Sequence, residues 1–243
     1  MKKTISALVF AIAIIVAAVV LGNAFINRNK AQQTISVTGL GEADFTSDLI
    51  VWEARYTRMD ADLSAAYADL ERDKMLISEY LRENGIDLSN VVFSAVNTSE
   101  NNEPIYGDNG NYLGSRFTGY TLSQTLEITS KEVEKIERIS REITQLLNQG
   151  VQLYSLAPRY YFTQIEDLKI EMIARATENA RLRAEQIAEN SGAELGELIS
   201  GDMGVFQITG QNSGEDYSWG GAYNTASKEK TTSITMKLKY NVD

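Results

Sequence analysis

The stretch GYTLSQTLEITSKEVEKIERISREITQLLNQG, residues 119–150, changes its hydrophobic period part-way along. Within the strand predicted over 117–128, Leu122, Gln124, Leu126 and Ile128 recur every second residue and share one side. Beyond Thr129 the spacing becomes helical, with Val133, Ile136, Ile139 or Ser140, Ile143, Leu146 and Leu147 on one stripe. Thr129 and Glu132 stand in capping-box spacing at the start, and Gly150 supplies the stop. A strand feeding directly into an amphipathic helix is half of a repeating unit.

On the C-terminal side, 151–164 resumes extended structure and carries Tyr154, Tyr160, Tyr161 and Phe162, of which the cluster Tyr160-Tyr161-Phe162 reads as core or subunit contact rather than a ligand cage. Pro158 inside it predicts an edge position or a break into two strands. On the N-terminal side, 50–57 reads as a strand with Trp52, Ala54 and Tyr56 on one face. A helix follows over 62–84 through Leu63, Ala66, Tyr67, Leu70, the stem of Lys74, Ile77, Tyr80 and Leu81, closed by Asn84-Gly85. Residues 91–98 are a strand, and 100–114 a polar loop or hairpin. The order strand, helix, strand, strand, helix, strand is that of a ferredoxin-like βαββαβ unit, placing the chain in the α+β class with both helices on one sheet face.

The remaining segments predict a second, discontinuous α/β unit. Thr34 to Thr38 is a strand ended by Gly39-Leu40-Gly41 in a turn or bulge. The strongest helix, over 165–191, turns Leu168, Met172, Ile173, Ala176, Ala180, Ala184, Ile187 and Ala188 one way, and its alanines let it sit close to a sheet. Strands at 195–200, 205–208 and 232–240 complete the body. The predicted organisation is therefore a leader over 1–26, a linker over 27–33 and a folded region over 34–243, divided into about 46–164 and 34–45 with 165–243.

Residues 5–26 are apolar and uncharged, preceded by Lys2 and Lys3. A run of this length can cross a hydrocarbon core of about 30 Å. Its length favours an uncleaved transmembrane signal anchor, while Gly22-Asn23-Ala24 offers a cleavage site for a signal peptide. Either fate places the folded region on the outer face of the membrane, with the basic N-terminus inside. The net charge is −10, and setting aside Lys2 and Lys3 leaves −12 on the remainder. That balance opposes nucleic acid as a partner, because phosphate binding is supplied by Lys and Arg. Cys and His are both absent, which removes thiolate nucleophiles, Ser-His-Asp and Cys-His catalysis and the common zinc sites. An enzyme would have to work with carboxylates, Lys, Tyr or Ser alone. No nucleophile stands with its base, so the expectation is a non-enzyme without cofactor.

Gly39-Leu40-Gly41-Glu42 lacks the third Gly and the following helix of a dinucleotide site. Glu171, Glu178, Glu185 and Glu189 share one side of the long helix, but Arg175, Arg181 and Arg183 stand beside them, so a solvated ion-paired face outweighs a cation site. Asp44, Asp48, Asp60 and Asp62 have no calcium-loop spacing. The candidate site is the segment 209–230, where Tyr217, Trp219 and Tyr223 lie among Gly210, Gly214, Gly220 and Gly221. Aromatic rings on such a loop can stack on a sugar or a partner protein, although a flexible connection without ligand is the plainer reading.

Taken together, Val37-Thr38-Gly39 with Gly41-Glu42, Asn84-Gly85-Ile86, Pro104-Ile105-Tyr106, Gly119-Tyr120 with Leu126, and the series Ala176, Ala180-Arg181, Ala184-Glu185, Ala188, Gly192, Leu195-Gly196 resemble SIMPL-domain proteins. These are exported bacterial proteins that include periplasmic and outer-membrane-associated antigens. The last series is the most specific. The chain departs from the family pattern with Asn90-Val91 where Asp-Ile is usual and with Arg183 where Lys is common. The resemblance implies an exported α/β protein whose relatives assemble into ring-like or channel-like oligomers. It implies no reaction and transfers no catalytic residue. The expected partners are other copies of the chain and the membrane through 5–26, with a protein or glycan ligand at Tyr217, Trp219 and Tyr223 as the alternative.

Overall fold

The computed structural model describes residues 11–22, 33–216 and 218–242. The fold is mixed α/β with antiparallel sheets. Helix α1 (residues 11–22) exposes all its described side chains. Among the described residues no helix is long and apolar enough to cross a membrane. Residues 5–10 and 23–26 of the apolar run lie outside the described residues.

The chain divides into two compact units. The larger comprises residues 41–175 and 205–234, and the smaller the described residues of 1–40, 176–204 and 235–243. In the larger unit, β2 (Leu49–Asp60) leads to helix α2 (Leu63–Glu83), β3 (Val91–Phe93), β4 (Asn97–Tyr106), β5 (Tyr112–Ser130), helix α3 (Val133–Glu142), β6 (Leu153–Ser155) and β7 (Arg159–Tyr161). The strand order is β3-β5-β2-β6, with β4 also paired to β5 and β7 to β2. Ile50, Trp52, Ala54 and Tyr56 of β2 and Leu122, Leu126 and Ile128 of β5 form one core with Leu70, Ile77 and Leu81 of α2 and Ile136 and Ile139 of α3. Gly85 and Gly150 both take positive φ, 75° and 82°, ending their helical stretches as the sequence predicts.

Several local expectations are corrected. The stripe of α2 that faces the core runs through Ala66, Leu70, Asp73, Ile77, Tyr80 and Leu81, while Leu63 and Tyr67 are exposed. Asp73 is tolerated there because Arg58 Nε and Nη2 clasp both its oxygens, at 2.5 and 2.6 Å. The capping box is absent: α3 starts at Val133, Glu132 makes no side-chain cap, and the Glu132 N–H donates to Ser130 Oγ instead. Beyond Glu142 the chain tightens into a 3-10 helix (Ile143–Gln149), which leaves Leu147 exposed. The polar segment 100–114 belongs to a long hairpin. Residues 102–106 pair with 112–117, outside the reach of β2, whose ladder with β5 ends at Asp60↔Tyr120. Pro158 does separate two strands, β6 and β7.

The smaller unit takes the first part of β1 (Thr34–Thr46), to Leu40, and the last part of β10 (Glu229–Val242), from Thr235; β1 neighbours β10, and β10 pairs antiparallel with β8 (Leu195–Met203). Gly39-Leu40-Gly41 does not end the strand; β1 passes straight through it. The reason lies in helix α4 (Ile165–Ser191), whose Ala176, Ala180, Ala184 and Ala188 are buried. A Cβ on Gly39 would fall 2.1 Å from Ala176 O and 2.4 Å from Ala180 N, so the glycine marks a close approach rather than a turn. Ile187, expected on that buried stripe, is about half exposed. Val37, Ala180, Ala184, Leu238 and Tyr240 make the small core.

Candidate functional site

The segment 211–228 connects β9 (Gln207–Gly210) to β10 in the larger unit, where Gln207 faces Ser233 and Gly210 faces Lys230. Hydrogen bonds tie the described residues of the segment back to the strand that precedes it. Buried Gln207 reaches into the segment from the strand: its Nε2 donates to Ser218 O at 2.8 Å, and its Oε1 accepts from Ser218 N–H at 3.2 Å and Ala222 N–H at 2.7 Å. Main-chain bonds from Ile208 N to Ala222 O and from Asn224 N to Ile208 O extend the clamp. Glu215 accepts from Gly210 N–H at 3.0 Å and from the Asn224 side-chain amide.

Trp219 sits between the two positions that Gln207 holds and is 99% exposed. An aromatic ring held by a bonded backbone has little conformational entropy to lose on contact. Tyr223 is half-buried at the foot of the segment, its ring 6.4 Å from that of Tyr161. Tyr217 lies outside the described residues. Trp219 and Tyr223 therefore belong to one clamped segment, but Trp219 shares no ring contact with another described residue.

The base of the segment is tied to α3 and β7. Tyr160 N–H donates to Thr225 O at 2.7 Å, Tyr160 OH donates to Glu137 at 2.7 Å, and Lys228 donates to Glu137 at 3.2 Å. Burial pushes the Glu137 carboxyl up, but the bonds from Tyr160 and Lys228 outweigh it and hold the group below its usual range. Burial and the bond to Glu137 push the Tyr160 phenol up. Gln207, Glu215 and Lys230, which shape the segment, are absent from the sequence-based site, since a lone amide or charge in a short strand gives no periodic signal.

The acidic row of α4 is ion-paired where it can be followed: Glu171 with Arg175 at 2.6 Å and Glu185 with Arg181 at 2.8 Å. Among the described residues no group of three or more acidic side chains is arranged to hold a metal ion.

A family model described as SIMPL, protein of unknown function (DUF541), matches residues 35–241. The chain belongs to the SIMPL family. No curated protein matches it closely enough to be counted a relative. The SIMPL match extends over nearly all of β1 to β10 and so includes the Trp219 segment. The family description assigns no reaction.

Within this SIMPL domain, Lys230 gives a pH-dependent signature. Its side chain is 1% exposed and donates to Ser227 O, and burial lowers its ammonium from 10.5 to about 8. Between those values the unfolded chain holds the proton that the folded one has released, so stability rises with pH there. The expected gain is on the order of 2 kcal/mol across the window. Above pH 10 the trend reverses as the buried phenols Tyr56 and Tyr160, both pushed up by burial, resist ionisation in the folded state only. Urea unfolding from pH 7 to 9.5 checks this, and Lys230→Met is expected to flatten the rise.

Proposed function

We propose that this SIMPL protein is a non-catalytic scaffold of the bacterial cell envelope that associates with copies of itself. In this reading 5–26 either anchors the chain in the inner membrane, with the folded region in the periplasm or outside, or is removed near Ala24 to leave a soluble periplasmic protein. The absence of Cys and His supports a role without thiolate or imidazole chemistry. The order β3-β5-β2-β6, with α2 and α3 packed on one face, supports a ferredoxin-like arrangement for the larger unit.

The observation that carries self-association is the end of the β4-β5 hairpin. It stands outside the sheet as two strands, and Ile105, Tyr106, Tyr112, Leu113 and Phe117 on it are 45–68% exposed. A two-stranded ribbon is at best marginally stable alone, and grouped exposed apolar side chains mark contact surfaces. Pro104 and the register breaks at Asn101/Asn102 and Ile105/Tyr106 discourage strand addition at its edge, so the faces of the ribbon are the contact. Light scattering on residues 27–243 is expected to give a multiple of the chain mass, and the double variant Ile105→Asp/Leu113→Asp a single chain with unchanged melting temperature. A monomeric parent protein overturns the reading.

A second reading, capture of a protein or glycan, is favoured by one observation: the Gln207 clamp that presents Trp219 to solvent. Trp219→Ala in the same scattering experiment separates the two. It leaves particle size unchanged if the ribbon drives assembly and the loop serves a different ligand.

A further inference from the structure

Helix α4 has a second apolar face in the smaller unit. Leu182 and Ile187, both about half exposed, line an open groove with Val37, Thr38, Asn179 and Arg183, with a volume of about 600 Å³. Pockets that take small molecules span roughly 300–1,000 Å³ and combine apolar walls with a few placed polar groups. Two observations select the chemistry of the occupant.

The first is charge. Arg175 and Arg181 on the same helix are neutralised by Glu171 and Glu185, whereas among the described residues no carboxylate lies within 4 Å of Arg183. The Arg183 guanidinium has five N–H donors, and Nη1 donates to Thr38 O at 2.7 Å. In a chain of net charge −10, an arginine without a carboxylate partner on an apolar wall calls for an anion. The second is the strand edge. Thr38 O accepts from Arg183 and Leu40 N–H donates to Asn179 Oδ1 at 3.2 Å, so the groups that would ladder with an added peptide are already engaged. That leaves an apolar body with one charged end and no need of backbone pairing.

We infer that this groove binds an anionic amphiphile with a single apolar chain, such as a fatty carboxylate. The chain lies along Val37, Leu182 and Ile187, and the carboxylate rests on Arg183. The inference stands independently of self-association, because the groove and the ribbon are built from different residues.

The test is photolabelling of the full-length protein with a diazirine-bearing dodecanoate, with adducts mapped by mass spectrometry, so that labelling of 5–26 is read separately. Adducts are expected on residues 179–187. At sub-saturating probe they are expected to fall about tenfold in Arg183→Gln, the loss of roughly one charge-assisted hydrogen bond. Arg183→Lys is expected to keep most of the labelling and Leu182→Asp to remove it, with the melting temperatures of these exposed-site variants unchanged. The matching dodecanol probe is expected to label about tenfold less than the acid, for the same reason. Equal labelling by acid and alcohol, unchanged labelling in Arg183→Gln, or adducts confined to other segments each overturn the inference.

Discussion

Replacing Asp73 by Ala is expected to lower folding stability by about 3–5 kcal/mol, read as a large drop in the urea midpoint with an unchanged slope. Asp73 is fully buried on the core face of α2, where a carboxylate is costly unless it is paired and hydrogen-bonded. Arg58 on β2 meets that need in bidentate geometry, and its Nη2 also donates to Gly150 O at 2.8 Å. One guanidinium thus joins β2, α2 and the turn that closes the 3-10 helix. The bonds to Asp73 raise the Arg58 guanidinium above its ordinary value, so Arg58 stays charged across all working pH. Truncating Asp73 strands the cation against Gly150 O alone. Arg58 keeps 16% of its side chain exposed, so water relieves part of that loss and the lower end of the range is expected. The double variant Arg58→Met/Asp73→Leu removes both charges and is expected to recover much of the deficit, because an apolar pair has no desolvation to repay. A loss below about 1 kcal/mol in Asp73→Ala would show that the pair is peripheral to stability.

The same residue shows where sequence reading stops. The alanine row of α4 announces both the helix and its closeness to a strand, since spacing and side-chain size are local properties. Gly85, Gly150 and Pro158 act through the backbone and are equally plain. Asp73 is a charged letter whose burial depends on a partner 15 residues earlier, so periodicity passes over it in favour of Tyr67 and Lys74. The ribbon is hidden for a related reason: Asn, Ser and Glu dominate 97–103, and its ladder is made of backbone that composition does not record. At the candidate site the rings of Trp219 and Tyr223 are legible as aromatics among glycines. Their clamp is not, because the bonds of Gln207 to Ser218 and Ala222 depend on how the chain folds back. Gly39 is the hardest case, since a glycine after a strand suits a turn and a close approach equally well until the helix 137 residues later is in place.

Gly39→Ala adds one methyl group, yet it is expected to cost at least about 3 kcal/mol and to do so in the smaller unit. The obstruction is backbone: the new Cβ would lie 2.1 Å from Ala176 O and 2.4 Å from Ala180 N, with the Ala180 methyl at 2.7 Å. A side chain can rotate away, whereas a helix carbonyl can move only with its turn. Displacing α4 would open the contacts of Ala180 and Ala184 with Val37 and Leu238, all now buried. It would also stretch the bonds from Arg183 to Thr38 O and from Leu40 N–H to Asn179. Hydrogen exchange is therefore expected to quicken over 176–188 while the amides of β2 and β5 keep their protection. Ala180→Gly in the Gly39→Ala background relieves only the methyl contact and is expected to rescue little, because the two shorter contacts are to main-chain atoms. Gly214→Ala, where the added Cβ meets nothing within 4 Å, is the matched control and is expected to change stability by less than about 0.5 kcal/mol. Tolerance of Gly39→Ala with unaltered exchange over 176–188 would mean that β1 and α4 do not approach as closely as the alanine row requires.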